Sequence, residues 1–226
     1  MEPSYTQYER VYDSMPSGAT GWNSLEVDAE ILRYVDELID QSGISAPSKL
    51  LEIGCGMGNL SIPLARRGFH VTGVDISPTA IKFARCRGRA ELVPPRFLVG
   101  DVLNSDSYNG LGSFNAVLDG LCLHCIIGAD RSSLLRLVSK VLVPGGKFLV
   151  ITMVGDPRSA KLRRKFDEET RCITDGRVQD RYLGRPCQIL DELINGEFAV
   201  RFSRTVEGNS DSGDQDLLLA IAEKRQ

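Results

Sequence analysis

The hydrophobic positions in the middle of the chain alternate between two spacings. Short apolar runs, which are typical of buried strands, occur at Lys49–Ile53, His70–Val74, Arg96–Val99, Phe114–Leu118 and Lys147–Met153. Between them, apolar residues recur with helical spacing at Leu60–Arg67, Pro78–Cys86 and Arg131–Val141. Strands that alternate with helices predict a parallel sheet that is covered by helices on both faces.

The amino-terminal region has helical spacing without strands. Tyr5, Tyr8 and Tyr12 fall on one face of a short helix. A second helix is predicted over Leu25–Ile39 because its apolar residues form one stripe. Gly43 follows that stripe and is expected to end the helix. We therefore expect a helical segment over residues 1–45.

The carboxyl-terminal region returns to strands. Residues 156–187 are charged and only weakly periodic, and Gln188–Ile194 has helical spacing. Glu197–Val206 and Leu217–Glu223 are predicted strands, and the polar loop 209–214 between them suits a hairpin. The whole pattern predicts a single α/β domain. Its doubly wound sheet has seven strands and is mostly parallel, with an antiparallel hairpin strand at its carboxyl-terminal end.

Length and charge narrow the classes of protein that fit. A chain of 226 residues is long enough for one substantial domain and short for two. With 27 basic and 30 acidic residues the net charge is −3. This balance argues against a nucleic-acid partner, since a nucleic-acid face is usually basic. The polar start of the chain does not resemble a secretory signal.

The context of the cysteines and the hydropathy of the chain indicate the cellular compartment in which the protein is expected. The longest apolar run, near Leu121–Ile127, is far too short to span a bilayer. Six cysteines lie in hydrophobic contexts and lack the spacing of a disulfide scaffold. We therefore expect a reduced, cytoplasmic protein without a membrane partner. Cys122 and Cys125 have the spacing of a metal or redox pair, but no second ligand pair accompanies them, so no metal site is expected.

A glycine-dense turn follows the first strand of the predicted sheet. Gly54, Gly56 and Gly58 stand at alternate positions between Ile53 and Asn59. Without a Cβ, such a backbone can bend sharply and pass close to a ligand. The turn lies where a parallel strand ends and a helix begins, which is where nucleotide-like ligands bind in open α/β sheets.

The spacing of this turn separates two classes of ligand. A nicotinamide or flavin site usually has the pattern G-x-G-x-x-G, with the pyrophosphate at the start of the helix. Here the third glycine comes one residue early, and Glu52 precedes the first glycine by two residues. An acid at that place would repel a pyrophosphate and favour an ammonium group. The turn therefore predicts a ligand with a cationic amino-acid end and no phosphate.

The motif Leu51–Gly58 and the order of the later elements resemble the class I S-adenosylmethionine-dependent methyltransferases. The resemblance covers roughly residues 48–155 and implies a Rossmann-like sheet. It implies S-adenosyl-L-methionine as cofactor and S-adenosyl-L-homocysteine as product. It also divides the single domain into a helical lid over 1–45, a cofactor-binding core over 48–155, and a segment over 156–226 that covers the substrate and supplies the hairpin.

The resemblance assigns the cofactor contacts to the ends of successive strands. The glycine turn would pass under the methionine part and the ribose, and Asp75 would accept hydrogen bonds from both ribose hydroxyls. Asp101 would accept one from the adenine amino group, with Ile76 and Val102 against the ring. The backbone at Asp119 would lie under the methionine part. The expected cofactor residues are Glu52, Gly54, Cys55, Gly56, Gly58, Asn59, Asp75, Ile76, Asp101, Val102 and Asp119.

His124 is the candidate catalytic base. Methyl transfer from a sulfonium is an in-line displacement, so the main task is to hold the nucleophile on the methyl axis away from water. A base is needed only if the acceptor must lose a proton. His124 follows the fourth strand, where the family commonly has residues that face the methyl group. Alternatively, it packs in the interior and bonds a backbone carbonyl.

Two further groups of residues are candidates for substrate contacts. The leader from Tyr8 to Trp22 resembles that of small-molecule methyltransferases, including the thiopurine and tellurite types. Tyr12 is a second candidate catalytic residue there, and Tyr8 and Trp22 would contact the substrate under an aromatic lid. The alternative is a stripe of core residues. Arg163 and Arg164 would bind a carboxylate or phosphate of the substrate, or form a solvated helix face.

These inferences favour an enzyme, a methyltransferase that acts on a small-molecule acceptor. Two alternatives stay open: a cofactor-binding scaffold or regulatory subunit without turnover, and a nicotinamide-dependent oxidoreductase. The motifs concern the cofactor alone, so sulfur, nitrogen, oxygen and carbon acceptor atoms are all compatible with them. A monomer and a homodimer are both compatible with the sequence.

Overall fold

The computed structural model describes residues 2–3, 5, 8–14, 28–174, 178–208 and 215–225. The strands are β1 (Glu2–Pro3), β2 (Lys49–Ile53), β3 (His70–Asp75), β4 (Arg96–Val99), β5 (Phe114–Gly120), β6 (Leu142–Val154), β7 (Phe166–Asp167), β8 (Cys172–Thr174), β9 (Val178–Tyr182), β10 (Phe198–Val206) and β11 (Asp216–Lys224). The helices are α1 (Tyr8–Asp13), α2 (Ala29–Ser42), α3 (Ser61–Arg66), α4 (Pro78–Gly88), α5 (Ala129–Val141), α6 (Ala160–Arg163) and α7 (Pro186–Asn195). Trp22, Leu25 and the loop 209–214 lie outside the described residues.

The main sheet has seven strands in the order β10-β11-β6-β5-β2-β3-β4. Its strands from β6 to β4 are parallel to one another. Strand β11 is antiparallel to β6 on one side and to β10 on the other. This confirms the predicted fold class, a mostly parallel doubly wound sheet with one reversed strand. Strand β6 is longer than expected, because it begins at Leu142 and continues through the Pro144–Gly146 turn.

Alternate residues of the central strands face two separate cores. In β2, Leu51 and Ile53 pack with residues of α5 and α7, whereas Leu50 packs with residues of α2 and α3. Such two-sided burial explains why the strands read as nearly continuous apolar runs. Glu52 lies between these residues and is also buried, with 3% of its surface exposed. A buried acid in a central strand therefore marks the end of the sheet at which a polar site is built.

The ends of two helices are defined by local chemistry. Helix α2 begins later than expected, at Ala29, because Asp28 caps it by accepting hydrogen bonds from the amides of Glu30 and Ile31. Gly43 ends it in the left-handed region, at φ 72°, as predicted. Helix α4 is capped by the Ser77 hydroxyl, which accepts from the Ala80 amide at 3.0 Å. This cap places the start of α4 directly after strand β3.

A second sheet was not predicted. It has four strands in the order β1-β9-β8-β7, and three of them come from the charged segment for which we expected no strands. Strands β7, β8 and β9 have two, three and five residues. Runs of two or three residues cannot display a periodicity of two, and the five residues of β9 (Val178–Tyr182) are mostly polar and charged, so they lack the apolar run of a buried strand. Strand β1 pairs in parallel with β9, and this sheet therefore joins the amino-terminal end of the chain to the segment that follows β6.

The described residues contain no helix that is long and apolar enough to cross a membrane. Within the same ranges, no group of three or more histidine, cysteine, aspartate or glutamate side chains could hold a metal ion. The six cysteines are free thiols.

Candidate active site

A cavity of about 480 Å³ lies where the central strands end. This volume is within the range of roughly 300–1,000 Å³ that is usual for ligand sites. Residues in or just after β2, β3, β4 and β5 line the cavity, together with residues of α1 and β9. The lining includes Tyr8, His124 and Arg181. The site is thus built between the main sheet and the small one.

The glycine turn forms part of the cavity wall. Gly54, Gly56 and Gly58 have φ angles of 64°, 50° and 78°, in the left-handed region that favours glycine. Gly54 and Gly56 line the cavity together with Cys55 and Asn59. Gly58 does not, and a Cβ there would lie 2.7 Å from the Phe97 ring. Gly58 is therefore needed for packing against Phe97, and its expected contact with the cofactor stays a prediction.

Asp75 joins the glycine turn to the end of β3. One of its carboxylate oxygens accepts a hydrogen bond from the Gly56 amide at 2.8 Å, and the other accepts from the Ser77 amide at 2.9 Å. Burial raises the pKa of Asp75, while these two amides act to lower it. The side chain lines the cavity next to Ile76. Two backbone donors thus orient the carboxylate before any ligand is present.

Asp101 and Asp119 have different surroundings, although both follow a strand. Asp101 and Val102 line the cavity, and an Asp101 oxygen accepts from the Leu103 amide at 2.8 Å. Asp119 is fully buried and accepts from the amides of Cys122 and Leu123 at 2.7 and 2.8 Å. Asp119 does not line the cavity, although its neighbour Gly120 does. Asp119 therefore holds the turn that follows β5 instead of contacting a ligand with its side chain.

Glu52 lines the cavity and accepts a hydrogen bond from the Ser61 hydroxyl. Burial raises the pKa of Glu52 to about 8, although the Ser61 hydrogen bond acts to lower it, and the nearby Asp75 raises it further. The carboxyl group is therefore mostly protonated at neutral pH when nothing positive lies beside it. A cationic ligand group would favour its ionised form.

His124 lies in a 3₁₀ turn, Leu123–Cys125, and lines the cavity. It is 5% exposed, and its Nδ1 has no hydrogen-bond partner among the described residues. Burial lowers the pKa of His124 to about 3, with further lowering by the charges of Arg181 and Arg131. The imidazole is thus neutral at physiological pH and can accept a hydrogen bond, whereas a pKa this low disfavours its taking up a proton.

Arg131 holds this turn in place, and the sequence analysis did not single it out. Its guanidinium donates to both carboxylate oxygens of Glu192 and to the backbone oxygens of Leu123 and Ile126, at 2.7 to 3.1 Å. Its Cζ also lies 4.5 Å from the centre of the Tyr182 ring. One buried side chain therefore joins the His124 turn to α7 and to the small sheet.

We expect Arg131→Gln to lower the free energy of unfolding by about 3 kcal/mol, because it leaves buried carbonyl oxygens without their donor and breaks a largely buried ion pair. Urea denaturation followed by circular dichroism measures this change. Arg136→Gln is the matched control, since Arg136 lies on the same helix and its one hydrogen bond, to Ser133, is exposed. Equal stability of the two variants would contradict a structural role for Arg131.

The aromatic residues of the leader lie beside the cavity. Tyr5 precedes α1 instead of lying within it, and Tyr8 and Tyr12 are on α1. All three line the cavity. The Tyr5 hydroxyl donates to Asp130 at 2.7 Å, and the Tyr8 hydroxyl shares a hydrogen bond with the Cys125 thiol at 3.0 Å. Burial raises the pKa of the Tyr8 and Tyr12 phenols, which therefore stay protonated.

Glu9 fastens α1 to the start of α4. Its carboxylate accepts hydrogen bonds from the Ser77 hydroxyl, the Thr79 amide and the Thr79 hydroxyl, the last at 2.7 Å. A carboxylate at the amino-terminal end of a helix is favoured by the helix dipole. No pattern in the sequence pointed to Glu9, because a single acid on a short helix gives no sign of its partner.

Arg163 and Arg164, the predicted substrate-binding arginines, lie outside the cavity lining. Both side chains are exposed, and Arg163 donates to the backbone oxygen of Pro157 at 2.8 Å. Neither lines the cavity, whereas Asp180 and Arg181 of β9 do. The sequence alone could not select among the arginines of this charged segment, because the register of its short strands was not predictable.

Comparisons with known proteins agree with this geometry. The family model described as "Methyltransferase domain" matches residues 50–146. The ubiquinone biosynthesis O-methyltransferase of Xanthomonas oryzae pv. oryzae is 32% identical over 132 residues, which is 58% of this chain and 52% of the relative. An uncharacterized methyltransferase of Synechocystis sp. is 32% identical over 147 residues, 65% of this chain and 64% of that protein. The chain thus spans about half to two thirds of the length of these relatives.

A solved structure extends the similarity of fold over the whole chain. The N-methyltransferase NodS from Bradyrhizobium japonicum WM9, solved with S-adenosyl-L-homocysteine, has a TM-score of 0.69 and 20% identity and covers 100% of both chains. The resemblance of the leader to the thiopurine and tellurite types is not confirmed by these matches. The matched domain model is consistent with the glycine turn. It is also consistent with the seven-stranded sheet that has one reversed strand. Over residues 50–146 the chain matches the methyltransferase domain family, and its fold is that of the solved N-methyltransferase.

Proposed function

We propose that this protein is an S-adenosylmethionine-dependent methyltransferase that acts on a small-molecule acceptor. The observation that carries the proposal is that the glycine turn and the acids Glu52, Asp75 and Asp101 line one cavity at successive strand ends. In this proposal, Glu52 holds the ammonium group, Asp75 the ribose hydroxyls and Asp101 the adenine amino group. The similarity to an O-methyltransferase supports a small acceptor.

In this proposal the protein promotes methyl transfer by positioning the two reactants. The acceptor atom attacks the methyl carbon in line, the carbon–sulfur bond breaks, and the sulfonium leaves as a neutral thioether. The protein's contribution is to hold the two reactants in that alignment and to exclude water. Tyr5, Tyr8 and Tyr12 surround the cavity on the side of the leader and are suited to the second task.

Two observations bear on the alternatives. His124 and Tyr12 line the same cavity as the cofactor residues, which supports turnover over a scaffold without catalysis. The position of Glu52, buried at the glycine turn, argues against a pyrophosphate and therefore against a nicotinamide cofactor. A reduced cytoplasmic location, the absence of a nucleic-acid partner, and a monomeric or homodimeric state remain predictions.

The first experiment is titration calorimetry with S-adenosyl-L-homocysteine and with NADH. Binding of the former at micromolar concentration and no binding of the latter are expected. Transfer of a labelled methyl group to a panel of metabolites, read by mass spectrometry, then tests turnover. Binding of NADH in place of S-adenosyl-L-homocysteine would overturn the proposal.

We expect His124→Gln to lower kcat by about tenfold, as for the loss of one positioned hydrogen bond to the acceptor, while the affinity for S-adenosyl-L-homocysteine stays within about twofold. The reason is that His124 follows β5, whereas the three acids proposed to bind the cofactor lie in or just after β2, β3 and β4. Steady-state kinetics with the acceptor found in the screen, together with calorimetry, measure both effects. His70→Gln is the control, because His70 is the other histidine and lies exposed at the start of β3. An unchanged kcat would remove His124 from the mechanism.

A further inference from the structure

The described part of the leader, residues 2–3, 5 and 8–14, is attached to the rest of the chain at several separate points. Strand β1 pairs with β9 of the small sheet. The Tyr5 hydroxyl donates to Asp130 near the start of α5, and the Tyr8 hydroxyl shares a hydrogen bond with the Cys125 thiol. Helix α1 packs against α4. The leader therefore runs along the cavity from β9 to α4, with Tyr5, Tyr8 and Tyr12 in the cavity lining.

The attachment to α4 depends on the two carboxylate oxygens of Glu9. One oxygen accepts hydrogen bonds from the Ser77 hydroxyl and, at 3.2 Å, from the Thr79 amide. The other accepts from the Thr79 hydroxyl at 2.7 Å. These hydrogen bonds, that of Ser77 most of all, hold the pKa of Glu9 below its usual value. The carboxylate is therefore ionised at neutral pH, and its hydrogen bonds are charge-assisted.

Ser77 connects Glu9 to a residue of the candidate cofactor site. Its hydroxyl donates to Glu9 and its amide donates to Asp75 at 2.9 Å. The negative charge of Glu9 also acts to raise the pKa of Asp75, so the two carboxylates lie near each other. Asp75 and Ile76 both line the cavity. Glu9 is thus bonded to the loop that presents these two residues, although Glu9 itself is not in the cavity lining.

Tyr12 lies over the glycine turn. It is three positions after Glu9, so the two side chains are on neighbouring parts of the α1 surface. Tyr12 is 6% exposed and packs with Met57 and Ala80. A Cβ at Gly56 would lie 2.7 Å from the Tyr12 hydroxyl. The part of α1 that Glu9 fastens is therefore the part that covers the glycine turn.

This arrangement has a kinetic consequence. The contacts of Glu9 join protein groups only, so they hold α1 in place whether or not a cofactor is bound. A molecule that enters or leaves the space between the glycine turn and Tyr12 requires α1 to move away. Weaker fastening should therefore speed both entry and exit, whereas the loss of a direct contact with the ligand would speed exit alone.

We propose that Glu9 is a positioning residue that holds α1 over the cofactor, and that release of its contacts with Ser77 and Thr79 gates cofactor exchange. The inference rests on the proposed function, because it requires the cofactor to lie between the glycine turn and α1. It goes further by naming a residue outside the cavity lining that sets the rate of this exchange.

The test measures the association and dissociation rate constants of S-adenosyl-L-homocysteine by surface plasmon resonance. Glu9→Ala is expected to raise both rate constants by about tenfold and to leave Kd within about threefold, because it removes charge-assisted hydrogen bonds that hold α1. Glu9→Gln should fall between Glu9→Ala and the wild-type protein, since its amide oxygen still accepts a hydrogen bond. Asp13→Ala is the control, because Asp13 is an exposed acid on the same helix.

A double-mutant cycle locates the effect at the observed contact. Thr79→Val removes the hydroxyl that donates to Glu9 and keeps the shape of the side chain. It should raise both rate constants in the wild-type background. In the Glu9→Ala background its effect should be much smaller, because the partner of the hydroxyl is already gone.

The outcomes separate this inference from the function on which it rests. Absence of S-adenosyl-L-homocysteine binding by the wild-type protein would overturn the proposed function and the inference together. If S-adenosyl-L-homocysteine binds but Glu9→Ala dissociates no faster than Asp13→Ala, the inference alone is overturned. Faster dissociation with unchanged association would also overturn it, because Glu9 would then support affinity without gating access. Additive effects of Glu9→Ala and Thr79→Val would do the same.

Discussion

Gly56→Val is expected to weaken the binding of S-adenosyl-L-homocysteine by about 100-fold or more, equivalent to roughly 2.7 kcal/mol of binding free energy. Gly56 has a φ of 50°, a conformation in which a β-branched residue is strained. A Cβ there would also lie 2.7 Å from the Tyr12 hydroxyl. Relief of both strains requires the turn or the leader to move away from the position in which Gly56 donates to Asp75.

The matched control is Gly110→Val. Gly110 has a φ of 73°, and a Cβ there would meet no atom within 4 Å. The two variants thus share the backbone strain and differ in the crowding and in the distance from the cavity. Calorimetry measures the affinity, and thermal denaturation shows that each variant is folded. If Gly56→Val binds S-adenosyl-L-homocysteine as tightly as Gly110→Val does, the glycine turn does not contact the ligand.

The affinity for S-adenosyl-L-homocysteine is expected to rise by up to tenfold per pH unit between pH 5.5 and 7.5. Burial raises the pKa of Glu52 to about 8, so the carboxyl group must lose a proton before it can pair with the ligand's ammonium group. Each unit of pH below the pKa therefore makes the required form tenfold rarer. The range lies below the usual pKa of an α-amino group, roughly 7.7–8.0, so the ligand itself stays positive.

Glu52→Gln separates this effect from other titrations. The variant should bind more weakly at pH 7.5, because an amide has no charge to offer, and its affinity should depend little on pH. Glu91→Gln is the control, since Glu91 pairs with Arg66 on the surface. Calorimetry in buffers with different heats of ionisation should show that the wild-type protein releases one proton on binding and that the Glu52 variant does not. A flat pH profile of the wild-type affinity would contradict the pairing.

The ligand-free protein should show the opposite trend in stability. A carboxyl whose pKa is raised by folding contributes stability fully below its unfolded pKa and loses that contribution as the pH rises through the folded value. For Glu52 this window extends from about 4.5 to about 8. As the pH rises, ionisation of Glu52 thus lowers the stability of the ligand-free protein and increases its affinity for the ligand.

The sequence predicted the sheet, and the position of three acids at its end, because both depend on local signals. A buried parallel strand is a continuous apolar run, and the residues directly after it stand at the end of the sheet whatever the distant parts of the chain do. Glu52, Asp75 and Asp101 lie in the cavity for that reason. Asp119 has the same position in sequence, but the turn after β5 uses its oxygen as a cap.

The other side of the cavity depends on contacts between distant segments. Arg131 reads as one more polar residue on an amphipathic helix, and only the packed structure shows that it faces inward. Arg181 belongs to a strand of five residues whose place is set by β1 and β8 and not by its own pattern. Glu9 accepts a hydrogen bond from Ser77, 68 residues further along the chain. Such residues have no periodicity that marks them, so the sequence alone did not single out Arg131 or Glu9.

The strand order of the main sheet sets a sequence of events during synthesis. Strand β10 leaves the ribosome before β11, yet in the finished sheet β10 lies at the edge and pairs with β11, which in turn pairs with β6. Strand β10 therefore cannot join the main sheet until β11 has been synthesised. We expect β10 and β11 to form their hairpin first and to join β6 as a unit, after the parallel strands that carry the cofactor residues have already assembled.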